Sequence, residues 1–229
     1  MRSFITGTGT GVGKTFVTRA LTLALRRTGA SVAALKPVET GCEGSEPRDA
    51  RALALASGRP SLARAAGFYR AQAPLAPYAA TLGGEAPPPP LAALVAAVRA
   101  AAGDTTDHLL IEGAGGPLVP YDAEHDLLDL ALALELPLLL VAPDALGVLS
   151  HTLAAAHAVR ARGANLQAII LNRMPAADAS TASNARILRE RLPDLTVYTF
   201  APSADDDDTL VEAIIESGLV PTITDDTSR

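Results

Sequence analysis

The amino-acid sequence predicts an α/β fold, a three-layer sandwich around a mostly parallel central sheet. Short apolar runs of strand length alternate with longer helical patterns along the chain. Some runs are apolar at consecutive positions, such as Leu138-Leu139-Leu140-Val141, as a strand needs when helices cover both faces of its sheet. The first run also passes through a glycine-rich turn straight into a helical pattern.

Taken in order, Phe4 to Thr6 is the first strand, and the helix Lys14 to Thr28 follows the glycine turn. Ser31 to Leu35 is an unbroken run of small residues, mostly apolar, and reads as the second strand. Asp49 to Ser57 is a Leu- and Ala-rich helix in which Asp49 is expected as the N-cap. The prolines Pro87 to Pro90 give a start signal for a helix over Leu91 to Ala102. The strand His108 to Ile111 is followed by the helix Asp126 to Leu134, the strand Pro137 to Ala142 and the helix Val148 to Arg162. The strand Ala168 to Leu171, the helix Ala179 to Leu192 and the strand Thr196 to Phe200 complete the alternation. The acidic run Asp205 to Asp208 precedes Thr209-Leu210-Val211-Glu212, where carboxylates favour a helix N-terminus by capping and through the macrodipole. A solvated cap is preferred there to a metal site. Residues 222–229 read as a frayed polar tail. With no internal repeat and no linker, residues 1–229 are expected to form one domain.

Composition narrows the function. With 48% apolar residues the chain can bury a core, yet no apolar stretch approaches the ~20 residues of a membrane span. No signal peptide precedes the first strand, so a cytoplasmic location is expected. The single cysteine, Cys42, cannot form an intramolecular disulfide, and the four histidines show no zinc spacing. A net charge of −6 speaks against broad nucleic-acid binding while allowing a small anionic ligand in a local site. The cations are lopsided: seventeen arginines accompany only two lysines, Lys14 and Lys36. Lysine in such a background marks places where a compact, rotatable ammonium suits and a planar guanidinium does not.

The strongest signal is Gly7-Thr8-Gly9-Thr10-Gly11-Val12-Gly13-Lys14-Thr15, placed between a strand and the helical pattern that begins at Phe16. This is the context of a P-loop, in which backbone N–H groups cradle phosphates, Lys14 reaches the β and γ phosphates and Thr15 offers a hydroxyl to Mg²⁺. The common eight-residue pattern would start at Thr8, so the loop from Gly7 is one residue longer. The spacing does not fit the dinucleotide fingerprint, so a nucleoside triphosphate is expected, not NAD.

Lys36 ends the second strand and is followed by Pro37-Val38-Glu39-Thr40-Gly41. Carboxyl ends of parallel strands converge on one edge, where ligands bind, so Lys36 is expected to point toward the phosphates held by Lys14. Glu112 ends another strand, in Ile111-Glu112-Gly113-Ala114-Gly115-Gly116. A carboxylate there can hold Mg²⁺ beside the P-loop, and the glycines allow close backbone approach. From the residues alone, Asp49 serves equally as a cap or as a second ligand.

Together, Gly-Thr-x-Thr-x-Val-Gly-Lys-Thr, Lys-Pro-Val-x-Thr-Gly, Asp-Ala before a Leu-rich helix and Glu-Gly-Ala-Gly-Gly resemble dethiobiotin synthetase. The likeness extends over nearly the whole chain and weakens after Phe200. It implies a homodimeric P-loop enzyme that uses ATP and Mg²⁺ to close 7,8-diaminononanoate and CO₂ into the cyclic urea dethiobiotin, with ADP and phosphate released. By the resemblance, Thr15, Asp49 and Glu112 ligate Mg²⁺, while Lys14 and Lys36 hold the γ-phosphate and the substrate carbamate. It further implies that Thr10 and Thr40 contact the diamine or its carbamate, and that Gly11, Val12, Gly13 and Phe16 help to bind the nucleotide. Asn172 would read adenine, with Pro202 beside the base. The substrate's distant carboxylate would meet the helix start at Gly147, Val148, Leu149 and Ser150 of the other subunit. Gly11 departs from the family, many members of which carry an acidic residue there. The implied route runs from carbamate to a mixed anhydride and then to ring closure. It gathers anionic oxygens that two ammonium groups and one Mg²⁺ would stabilise.

Two other readings stay open. Cobyrinic-acid-type synthetases share such a P-loop domain, but they add a glutamine-hydrolysing domain for which this chain has no room. ParA-like switches use ATP to control dimerisation, but they carry an extra lysine near the loop start, and Gly7 to Val12 contains none.

Overall fold

A computed structural model describes residues 1–42, 44, 46–104, 106–173 and 178–220; the expected frayed tail at 222–229 lies outside them. Six strands form the main sheet: β1 (Arg2–Gly7), β2 (Val32–Leu35), β5 (His108–Glu112), β6 (Leu138–Asp144), β7 (Leu166–Arg173) and β8 (Thr196–Phe200). Their order is β2-β5-β1-β6-β7-β8, and every neighbouring pair is parallel. A separate two-stranded parallel ribbon joins β3 (Val38–Glu39) to β4 (Tyr69–Arg70).

Consecutive strand residues point to opposite faces, and the unbroken apolar runs exist because both faces are covered. Phe4, Leu138 and Leu140 pack into a cluster with α4 (Leu91–Ala102), α5 (Leu127–Ala133), α6 (Val148–Ala161) and α7 (Thr181–Arg191). Ile5, Leu139 and Val141 face the second cluster, closed by α1 (Lys14–Arg27) and α8 (Asp207–Glu216), with Leu53 of α2 (Arg48–Ala56). Among the described residues no helix is long and apolar enough to cross a membrane.

The local signals act as expected at several ends. Pro90 is the N-cap residue of α4. The Asp126 carboxylate caps α5 by accepting from Leu128 N and Asp129 N, and Asp129 Oδ2 accepts in return from Asp126 N at 2.9 Å. In the acidic run Asp206 is the cap of α8, accepting from Thr209 N at 2.9 Å. One expectation is corrected. Asp49 is not an N-cap: α2 begins at Arg48 after Pro47, no side chain of the cap residue bonds the helix, and Asp49 lies in the first turn. The ribbon, a 3-10 turn over Pro60–Arg64 and α3 (Pro77–Leu82) have no counterpart in the sequence expectations, because each is too short to display a period.

Candidate active site

The P-loop leaves β1 at Gly7 in the middle of the sheet and is rooted there by Thr8 N, which donates to Val141 O of β6 at 2.9 Å. It ends at Gly13, the N-cap of α1, with φ at 92° and no side-chain cap bond. A Cβ at Gly13 would stand 2.0 Å from Asn172 Nδ2, so this position requires glycine both for its backbone angle and for space. Without a side-chain cap, the first N–H groups of α1 are available to an anion. Lys14 is only 6% exposed, and its Nζ donates to Gly9 O at 2.8 Å, folding the loop round its own lysine. Burial, with the nearby Lys36 charge adding to it, lowers the Lys14 pKa to about 8.

Strands β2, β5 and β1 lie side by side, which brings Lys36, Glu112 and the P-loop to one sheet edge. Lys36 Nζ donates to Glu112 Oε1 at 2.6 Å and to Gly113 O at 2.9 Å, and lies 3.5 Å from Asp49 Oδ2. Thr15 Oγ1 donates to the same Glu112 Oε1 at 2.8 Å. Burial pulls the Lys36 pKa down, but the Glu112 and Asp49 carboxylates outweigh it, so the net shift is upward and the ammonium stays charged. The glycines after Glu112 serve the fold as much as any ligand: a Cβ at Gly116 would stand 3.2 Å from Gly7 O, so this run packs on the P-loop backbone.

Lys14, Thr15, Lys36 and Asp49 line a cavity of about 470 Å³, whereas Glu112 is fully buried and does not line it. Its walls hold the expected Thr10, Gly11, Gly13, Lys14, Thr15 and Phe16 from the loop and α1. Lys36, Thr40, Asp49, Ala114 and Gly115 line it too. Val12 and Gly113 are close by, each offering a backbone carbonyl to a neighbouring side chain. Asn172 is buried at the end of β7, and its Nδ2 donates to Val12 O of the P-loop at 3.1 Å. Gly147, Val148, Leu149 and Ser150 form the start of α6 and do not line this cavity. Pro202 is half-buried in the segment before α8, which reaches the cavity through Asp205.

Three polar lining residues, Arg19, Asp205 and Glu39, escape a reading of the motifs. Arg19 of α1 binds Asp205 at 2.6 Å and Asp207 at 2.5 Å, tying the start of α8 to the cavity rim. Only the packing of α1 against α8 reveals this contact. Glu39 is the third: it is 6% exposed, and its carboxylate accepts from Asp49 N at 2.8 Å and Ala50 N at 2.9 Å. The signal available for Glu39 was its place inside the Lys-Pro-Val-x-Thr-Gly run. Cys42 is buried, and its thiol approaches Glu39 O at 3.7 Å.

The donor set suits a hard divalent cation. Glu112 Oε2 is buried without a hydrogen-bond partner, the Thr15 hydroxyl donates to the other oxygen of this glutamate, and the half-exposed Asp49 carboxylate lies 3.5 Å from the Lys36 ammonium that the two carboxylates share. Among the described residues no three His, Cys, Asp or Glu side chains form a protein-only cage. A site of one or two carboxylates completed by phosphate oxygens and water is the usual arrangement for Mg²⁺.

A glycine loop between a central strand and a helix, with a lysine and a hydroxyl at its end and a carboxylate on the next strand, defines a P-loop nucleotide-binding protein. The family described as AAA domain (AAA_26) matches residues 2–197. The ATP-dependent dethiobiotin synthetase BioD of Anaeromyxobacter dehalogenans (strain 2CP-C) is 43% identical over 183 residues, 80% of this chain and 81% of that protein. The protein of the same name from Nitrosospira multiformis (strain ATCC 25196 / NCIMB 11849 / C 71) is 38% identical over 189 residues, covering 82% and 83%. The cell division ATPase MinD of Pyrococcus furiosus superposes with a TM-score of 0.54 over 96% of this chain and 100% of its own, at 19% identity, which is a likeness of fold alone. The chain belongs to the ATP-dependent dethiobiotin synthetase family.

Proposed function

We infer that this protein catalyses the ATP- and Mg²⁺-dependent closure of 7,8-diaminononanoate with CO₂ to dethiobiotin, with ADP and phosphate as the other products, a step of biotin biosynthesis. The observation that carries the inference is the contact of Lys36 and Thr15 with Glu112, and of Lys36 with Asp49, beside the P-loop. Lys14 and the amides at the start of α1 would take the nucleotide's terminal phosphates, with the lysine exchanging Gly9 O for phosphate oxygens. Thr15, Asp49 and Glu112 would hold Mg²⁺, which when bound withdraws negative charge from the transferring phosphoryl group. Lys36 would stand between that group and the acceptor oxygens, a fixed ammonium whose charge its carboxylate neighbours maintain. Thr10 and Thr40, which both line the cavity, would orient the acceptor.

A homodimer completes this reading. The α6 start lies outside the cavity of its own chain, and Leu146 beside it is 84% exposed, which supports a role for this turn toward the site of a second copy. The deciding experiment supplies labelled bicarbonate, 7,8-diaminononanoate and ATP. Acid-stable, ATP-dependent label in dethiobiotin is expected. Consumption of ATP with no label fixed would favour an ATP-driven dimerisation switch instead.

A further inference from the structure

We propose that Glu39 is a positioning residue that fixes the metal-ligand carboxylate of Asp49, and that it couples this ligand to the acceptor-binding loop. The proposal rests on the functional reading above and extends it to a residue whose side chain touches neither nucleotide nor metal in that reading.

Three observations carry it. First, α2 starts after Pro47 with no side-chain cap from its own N-terminal residue, so the N–H groups of its first turn need an outside acceptor. Glu39 is that acceptor: its two oxygens take Asp49 N at 2.8 Å and Ala50 N at 2.9 Å. The bidentate grip fixes the turn from which the Asp49 side chain reaches toward Lys36 Nζ, 3.5 Å away. Second, Glu39 is buried, 6% exposed as a residue, and a buried charge is tolerated only when it is engaged. Its strand partner across the β3–β4 ribbon is Arg70, which supplies a neighbouring positive charge. Third, the next residue along the chain is Thr40, which lines the cavity and, in the proposed function, contacts the acceptor. One side chain therefore spans the loop between the wall that would hold the diamine and the helix that would hold the metal.

The test compares wild type with Glu39→Gln, Asp49→Asn and the double variant. Mn²⁺ binding in the presence of ATP, read by electron paramagnetic resonance, is measured beside steady-state turnover. Glu39→Gln places an amide donor against a backbone N–H, and is expected to weaken Mn²⁺ binding and raise the metal requirement for turnover about tenfold, the scale of second-layer ligands. In an Asp49→Asn background the same change is expected to add less than about twofold, because Glu39 acts through Asp49. Equal effects in both backgrounds, or a lower melting temperature with unchanged Mn²⁺ binding, would overturn the proposal. Should Glu39→Gln fail to fold, Glu39→Asp, which withdraws the carboxylate by one methylene, takes its place with the same two outcomes. Failure of the functional reading looks different: the wild-type protein itself would then bind no Mn²⁺ with ATP and form no dethiobiotin.

Discussion

Lys14 holds its charge at a cost that the Glu112 and Asp49 carboxylates offset only in part, so Lys14→Met should make the nucleotide-free protein more stable while abolishing nucleotide binding. The Lys14 pKa stands at about 8 against an ordinary value of 10.5, with burial the leading cause and Lys36 the second. At about 1.4 kcal/mol per unit, that gap corresponds to roughly 3 kcal/mol held against the folded state at neutral pH. Methionine has similar length and no charge, and it forfeits the bond to Gly9 O, worth about 1 kcal/mol. The net expectation is a gain of about 2 kcal/mol, or roughly 4–8 °C in melting temperature for a chain of this size. The pH dependence has a definite sign. Because the folded-state pKa is the lower one, the penalty is fully present below about pH 8 and fades as pH rises toward 10.5. The advantage of Lys14→Met should therefore shrink between pH 7 and pH 9.5. Urea denaturation at both pH values, with and without ATP and Mg²⁺, measures all three effects. A variant less stable than wild type at pH 7 without nucleotide would refute the reasoning.

Lys36→Arg should lower kcat by more than about 100-fold with an unchanged circular dichroism spectrum, since a planar fork cannot occupy the space between Glu112, Gly113 O and Asp49; near-normal turnover would contradict its role. Glu112→Gln should cost about 3 kcal/mol in denaturant-measured stability, because it leaves the buried Lys36 ammonium without its closest counter-charge. Gly13→Ala should lose about 2 kcal/mol or more, together with nucleotide-dependent thermal stabilisation, since its Cβ would collide with Asn172 at a φ of +92°.

Much of this site was legible because its parts are contiguous in sequence or follow a topological rule. The loop from Gly7 to Thr15 declares itself by spacing, and Lys36 and Glu112 meet because both end parallel strands on neighbouring rows of the sheet. Hidden features depend on contacts that carry no local pattern. Glu39 acts on backbone N–H groups ten residues ahead, which any side chains at those positions would supply. Arg19 meets Asp205 only through the packing of α1 on α8. Asn172 sits at a strand end, where ligands gather, and its amide also donates to the P-loop. The ribbon strands are two residues each, too short for alternation to register.

The β3–β4 ribbon is hydrogen-bonded to its own surroundings, with Gly41 N on Ala73 O and Cys42 N on Ala71 O, and stands apart from the main sheet. Through Glu39 it is nevertheless tied to the first turn of α2, where Asp49 stands. Under the proposed function, a graft into this ribbon meant to admit a new amine would have to keep Glu39 and Asp49 if the phosphate side is to go on working.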